Sequence, residues 1–176
     1  MTTPITTAQT IGPFSHEAWQ WAADLGKAAN AGSAAAGGIT ISGTIYDGDG
    51  VPINDAQIET WQPGAAGVER ALDMPAFRRI PSDEQGGFAF TLADIDMAAE
   101  PGQPVAYVTV FARGLVKHQF TAVFLADDAG LEKSAILAQV PAARRPTLLA
   151  AKTADGQYRW DIRMQGPQET AFFDYI

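Results

Sequence analysis

Few side chains in this 176-residue chain stand at a spacing that does chemistry. The two histidines, His16 and His118, lie about a hundred positions apart. Neither belongs to a His-x-His or HExxH pattern, the spacings that bring two imidazoles to one metal, so both read as surface or interface residues. A metal centre built by this chain alone would lean on carboxylates, for which Asp94, Asp96 and the pair Asp127-Asp128 are the candidates. Acids clustered in loops are ordinarily solvated. The run Asp47-Gly48-Asp49-Gly50 copies the start of a calcium loop, yet Val51 and Pro52 stand where that loop needs an oxygen ligand and its glycine. A turn is the better reading. Nucleophilic chemistry finds no support: there is no cysteine and no G-x-S-x-G elbow, and Ser42 sits in a strand-like context. Phosphate cradles of the Walker or G-x-G-x-x-G type are missing as well.

The remaining polar and aromatic groups read as structure. A formal charge of −8 argues against a nucleic-acid surface, and the basic pairs Arg78-Arg79 and Arg144-Arg145 read as solvated. Tyr158, Trp160, Phe172 and Phe173 read as core packing, with Tyr158 and Trp160 on one face of a strand. The start MTTPITTAQT lacks a basic region followed by an apolar run, and no stretch approaches the ~20 apolar residues of a membrane span. A soluble, cytoplasmic protein without membrane or nucleic-acid partners is expected.

The elements that would position these residues divide at about residue 38. Residues 1–38 read as an arm, then a short helix through HEAWQWAADL that is capped by Ser15, uses Trp19 or Trp21 as an apolar position and stops at Gly26. The stretch AANAGSAAAGG, poor in large side chains, reads as a mobile connector. Residues 39–176 read as one β domain. ITISGTIYD alternates with period two, and the DGDG turn predicts a hairpin-like reversal into DAQIETWQ. GFAFTL, VAYVTVFA, QFTAVFLA, YRWDIRM and ETAFFDY read as further strands. LEKSAILAQV and AARRPTLLAA have helical composition, and 62–86 and 92–104 are left as long loops. Many short strands separated by Gly and Pro signals indicate an antiparallel β-sandwich.

Four segments in one order carry more than any single residue. QTIGPF, GTIYDGDGVPINDAQIETWQP, VFARGLVKH and RWDIRMQGPQETAFFDY together resemble the α chains of the protocatechuate 3,4-dioxygenase family of intradiol ring-cleaving enzymes, from about Gln9 to Ile176. The resemblance implies an all-β, prealbumin-like sandwich. It implies a homologous β subunit as partner, which holds Fe(III) with two tyrosines and two histidines and cleaves protocatechuate with O2 to 3-carboxy-cis,cis-muconate. It also implies that the metal strand of that partner corresponds here to Pro104-Val105-Ala106-Tyr107, so Val105 and Tyr107 replace the His-x-His pair. Valine has no donor atom, and the loop ERALDMPAFRRIPSDEQGG, where family tyrosines lie, contains none. Tyr107 alone retains a phenol. No iron is therefore expected in this chain, and its contribution is to the border of the partner's substrate pocket.

For that border the resemblance points to Thr10, Gly12 and Pro13 of the arm and to Arg113 of FARG. Pro13 fixes its own φ and restricts Gly12, which suits an extended segment laid across a neighbour. The planar fork of Arg113 suits a substrate carboxylate, and the alternative for it is a strand-end ion pair. Two departures concern the substrate: Ser15-His16-Glu17 follows Phe14 where the family arm continues apolar, and Ala122 stands where α chains often have a second arginine. A non-catalytic interaction module that kept the fold is the alternative function.

Overall fold

The computed structural model describes residues 20–93, 95 and 101–174. Helix α1 (Gln20–Ala35) is followed by β1 (Ile39–Tyr46), β2 (Gln57–Trp61), α2 (Gly67–Arg70), β3 (Phe77–Pro81), β4 (Gly87–Leu92), β5 (Ala106–Phe111) and β6 (Gln119–Leu125). A short helix α3 (Ala135–Ala138), flanked by 3-10 turns at Leu131–Lys133 and Arg145–Leu148, then leads to β7 (Leu149–Ala154), β8 (Gln157–Arg159) and β9 (Ile162–Arg163).

Period-two alternation does what the sequence predicts in β1, where Ile41, Gly43 and Ile45 point inward. Glycine is required at 43, because a Cβ there would stand 1.8 Å from the Trp160 carbonyl oxygen. The C-terminal segment passes that close and is interrupted there, so YRWDIRM forms two short strands, β8 and β9. The DGDG segment is the expected turn: Asp47 Oδ1 accepts from the Asp49 and Val51 amides at 2.9 Å, and Gly50 adopts φ 79°.

The reversal after it differs from expectation. Tyr46 and Pro52 form an isolated antiparallel bridge, but β1 continues its ladder with β4, while β2 pairs with β3 and β5. The strand order is β3-β2-β5-β6-β7-β8-β1-β4, with β9 beside β1. An antiparallel sheet throughout was expected, yet β1 runs parallel to β8 and β9, and β6 runs parallel to β7. The reason lies in the connection, since the segment between β6 and β7, with its short helical turns, is a crossover long enough for a parallel return. β6 and β7 share only a two-pair register, Phe124 with Leu149 and Leu125 with Ala150. Side chains from both halves of the sheet, among them Ile41, Phe90, Ile58, Val108 and Trp160, join one core. A smaller cluster of Ala122, Phe124, Leu137, Val140, Leu148 and Ala171 lies under the crossover.

Other elements correct the sequence reading. The segment 62–86 is not one long loop, because it contains α2 and β3. AARRPTLLAA gives one 3-10 turn and then enters β7: its alanines have helical propensity, but the ladder offered by β6 and β8 outweighs it. Among the described residues, ETAFFDY contributes only the bridge from Phe173 to Phe120. Asp128 is not solvated; its buried carboxylate accepts from the amides of Gly102 and Gly130, each at 2.7 Å, and ties two loops together. Asp94 and Asp96 lie outside the described residues, as do His16, Ser15 and Trp19.

The largest correction concerns the Ala/Gly stretch. α1 runs straight through Gly26 to Ala35, and it buries Ala22, Ala23, Gly26, Ala29 and Ser33, a stripe near i, i+4, i+7, i+11. Small residues there serve close approach: a Cβ on Gly26 would stand 2.9 Å from the Arg79 carbonyl oxygen of β3. Of Trp19 and Trp21, the two candidates for an apolar position, Trp21 is 64% exposed and Trp19 lies outside the described residues. The helix ends where Gly37 takes φ 77° and Gly38 N donates to Ser33 O, an αL glycine stop.

Polar groups complete the seam under α1. Arg78, expected at the surface, is fully buried and pairs with the equally buried Glu69 of α2 at 2.7 Å. Ser33 donates to Glu69 Oε2 at 2.7 Å and accepts from Arg78 Nη2 at 2.9 Å. Asn30 Oδ1 accepts from Arg78 Nε at 3.1 Å and from the Thr91 amide at 2.9 Å. A guanidinium can be buried here because a carboxylate and neutral acceptors surround it.

Candidate functional site

β5 positions the residues at issue. Its inward side chains, Ala106, Val108 and Val110, are buried, and Tyr107, Thr109 and Phe111 alternate with them on the outer face. Val105, just before the strand, gives its amide to Val123 O at 2.9 Å and packs its side chain into the main core. Cross-strand register brings Tyr107 beside Trp61 of β2 and Ala122 of β6, and Trp61 beside Phe77 of β3. These side chains, with Thr60, Thr109, Phe120 and Thr121, line a mainly apolar groove of about 450 Å³. Glu59 reaches the same groove, but its carboxylate is held by Arg79, whose Nε donates to Oε1 at 2.8 Å.

This donor set does not fit ferric iron. Val105 is an alkyl group turned into the core, and around Tyr107 stand indole, phenyl and hydroxyl groups with one carboxylate already in an ion pair. One phenol with such neighbours does not, among the described residues, supply the several nitrogen and oxygen ligands that a protein-bound metal needs. Among the described residues no group of three or more His, Asp or Glu side chains is gathered at one place. Ala122 is fully buried in the smaller cluster.

Arg113 follows β5 in the turn Ala112–Leu115, where Leu115 N donates to Ala112 O and Gly114 takes φ 84°. Its side chain is 67% exposed and meets the Asp55 carboxylate through Nε, 2.9 Å from Oδ2. The ion-pair alternative is thus present, with most of the guanidinium still open to solvent. Thr10, Gly12 and Pro13 lie outside the described residues, so Arg113 stands alone among the pocket candidates in having a described environment. The sequence reading missed Asp55; the only signal was an acid just ahead of β2, the strand that neighbours β5.

Elsewhere, His118 is exposed, with its ring between Phe111 and Phe120 at centroid distances of 5.3 and 4.6 Å. Tyr158 and Trp160 are buried in the main core, as expected. The Tyr158 hydroxyl donates to Asp127 at 3.2 Å, and Lys152 approaches the same carboxylate at 3.4 Å. Burial of the ring, and then the charge of Asp127, hold the Tyr158 pKa above the usual tyrosine value. No helix among the described residues is long and apolar enough to cross a membrane.

Comparison with solved structures shows the fold. The dioxygenase domain of a dioxygenase and carbohydrate-binding protein fusion from Streptomyces sp. SirexAA-E superposes with a TM-score of 0.55 at 17% identity, covering 76% of this chain and 80% of that one. Catechol 1,2-dioxygenase from Acinetobacter radioresistens gives 0.52 at 16% identity, covering 82% of this chain and 59% of that one. No family model matches the sequence. Among curated proteins, the protocatechuate 3,4-dioxygenase alpha chain of Burkholderia cepacia is 36% identical over 150 residues, which is 77% of this chain and 76% of that one. The protocatechuate 3,4-dioxygenase alpha chain of Pseudomonas putida is 32% identical over 155 residues, 78% of this chain and 76% of its own. Identity at this level across three quarters of both chains goes beyond a shared sheet, and the chain belongs to the protocatechuate 3,4-dioxygenase alpha chain family.

Proposed function

We propose that this chain is the iron-free α subunit of a protocatechuate 3,4-dioxygenase. It borders the substrate pocket of a β subunit whose Fe(III) site cleaves protocatechuate with O2 to 3-carboxy-cis,cis-muconate. The carrying observation is the character of β5: the strand that would hold metal has a valine packed in the core and a tyrosine in an apolar groove, while an exposed arginine follows its end. The activity therefore belongs to the αβ assembly. We take the two halves of the sheet as the leaves of the family sandwich, a reading supported by the single core they share.

In this reading the α chain contributes shape and one cation. Arg113 offers a planar fork to the carboxylate of protocatechuate, a charge-assisted contact that orients the ring without taking part in bond cleavage. Thr10, Gly12 and Pro13 form the second α-chain border, where a hydroxyl and a stiff backbone limit the pocket. Co-expression with a β-type chain, followed by iron analysis and oxygen uptake on protocatechuate, tests the division of labour. Iron and activity are expected in the αβ assembly and in neither quantity from the α chain alone. Stoichiometric iron and ring cleavage by the isolated α chain would overturn it. In the assembly, Arg113→Ala is expected to weaken turnover of protocatechuate by about tenfold in kcat/KM, the scale of one lost charge-assisted contact.

A further inference from the structure

Arg113 and Asp55 are an unequal pair. The Asp55 side chain is 11% exposed and the Arg113 side chain 67%, so the acid is largely buried, its Oδ1 without a hydrogen-bond partner, and the arginine stands over it. Asp55 lies just ahead of β2, and Arg113 just after β5; the register of these neighbouring strands pairs Gln57 with Phe111, which sets both turns at one edge. Contact is made from Asp55 Oδ2 to Nε of Arg113. That is the side of the guanidinium nearest its own chain, and among the described residues Nη1 and Nη2 make no hydrogen bond to protein.

We propose that Asp55 is a positioning residue: it holds Arg113 by Nε so that the two Nη groups face outward as a preformed carboxylate-binding edge. An unrestrained arginine loses rotamer entropy of up to about 2 kcal/mol when a ligand fixes it, and an anchor already in place removes part of that cost. The acid does not quench the site, because a guanidinium has five N–H donors and a single contact at Nε leaves the fork available. With the arginine side of the pair open to water, the attraction is screened and its contribution to folding is small. The proposal rests on the reading of Arg113 as a carboxylate-binding residue of the αβ pocket.

The test uses the co-expressed αβ assembly with wild-type, Asp55→Ala, Arg113→Ala and doubly substituted α chains. Asp55→Ala is expected to raise KM for protocatechuate about fivefold with kcat within about twofold, the signature of lost binding rather than lost chemistry. The double variant should be no worse than Arg113→Ala, because an anchor without its arginine has nothing to hold. Competition binding supplies a second measure: the preference for protocatechuate over catechol, which lacks the carboxylate, should fall in Asp55→Ala while catechol affinity stays level. Equal loss for both ligands would mean general damage and would overturn the proposal. Wild-type KM in Asp55→Ala beside an impaired Arg113→Ala overturns the anchor alone, whereas a silent Arg113→Ala overturns the pocket reading and the anchor with it. If Asp55→Ala does not assemble, Asp55→Leu takes its place; it fills a similar volume without an acceptor for Nε, and a KM equal to wild type overturns the anchor.

Discussion

Single residues here act mostly through what they displace from water. Tyr158 gives the most direct solution signature. Burial, and then Asp127, disfavour its phenolate, so the folded pKa lies above the unfolded value near 10.0. A raised folded pKa means that the folded state keeps a proton which the unfolded state has lost. Its stabilising contribution is therefore complete below pH ~10 and is lost as pH rises through the folded value. The Lys152 pKa is raised as well, first by its hydrogen bond to Asp127, which acts in the same direction over the same alkaline window. Urea midpoints between pH 9 and pH 11 should fall with pH, and Tyr158→Phe should flatten that slope while retaining the slope due to Lys152. An unchanged slope in Tyr158→Phe would exclude the phenol as the source. At Arg78 the reading from sequence failed for a related reason: two adjacent arginines carry no local sign that one of them will meet Glu69 in a seam where both side chains are fully buried.

At the scale of elements, α1 shows propensity and packing pulling in opposite directions. Replacing a helical glycine by alanine is ordinarily favourable by about 1 kcal/mol. Gly26 lies on the face against β3, where the new Cβ would stand 2.9 Å from the Arg79 carbonyl oxygen, and backbone cannot yield as a flexible side chain can. Gly26→Ala is therefore expected to destabilise the chain by about 1–3 kcal/mol, as overpacking does. Denaturant unfolding checks the sign: stabilisation would mean that α1 sits farther from the sheet. The stripe at Ala22, Gly26, Ala29 and Ser33 was present in the sequence all along, but low side-chain volume reads equally as linker or as close-packed helix. Only the proximity of β3 and β4 separates the two. The strand β7 is a parallel case, its first three residues, Leu149, Ala150 and Ala151, belonging to a segment of helical composition yet drawn into a ladder by β6 and β8.

For the whole molecule, connection between the halves of the sheet is the main question. The backbone link between β6 and β7 is only two residue pairs long, whereas the main core draws buried side chains from both halves. Cohesion should therefore come from apolar burial shared across the halves, and thermal unfolding of the purified chain is expected as a single transition with calorimetric and van't Hoff enthalpies in agreement. Two resolved transitions would show that the halves melt separately. The shared core also fixes both ends of β5, so the groove around Tyr107 and the turn bearing Arg113 belong to one rigid strand.

The sequence by itself determined the β1, β4, β5 and β6 strands, the DGDG turn, the buried Tyr158 and Trp160, the missing histidine pair and the family, because these depend on period-two patterning, local turn chemistry and residue identity at fixed spacing. Tertiary structure decided the parallel pairings, the helical state of the Ala/Gly stretch, the burial of Arg78 and the anchoring of Arg113 by Asp55. Each of these is a relation between residues far apart in the chain, and its free energy depends on which surface the other side brings. No local pattern encodes that surface until the sheet has closed over its core.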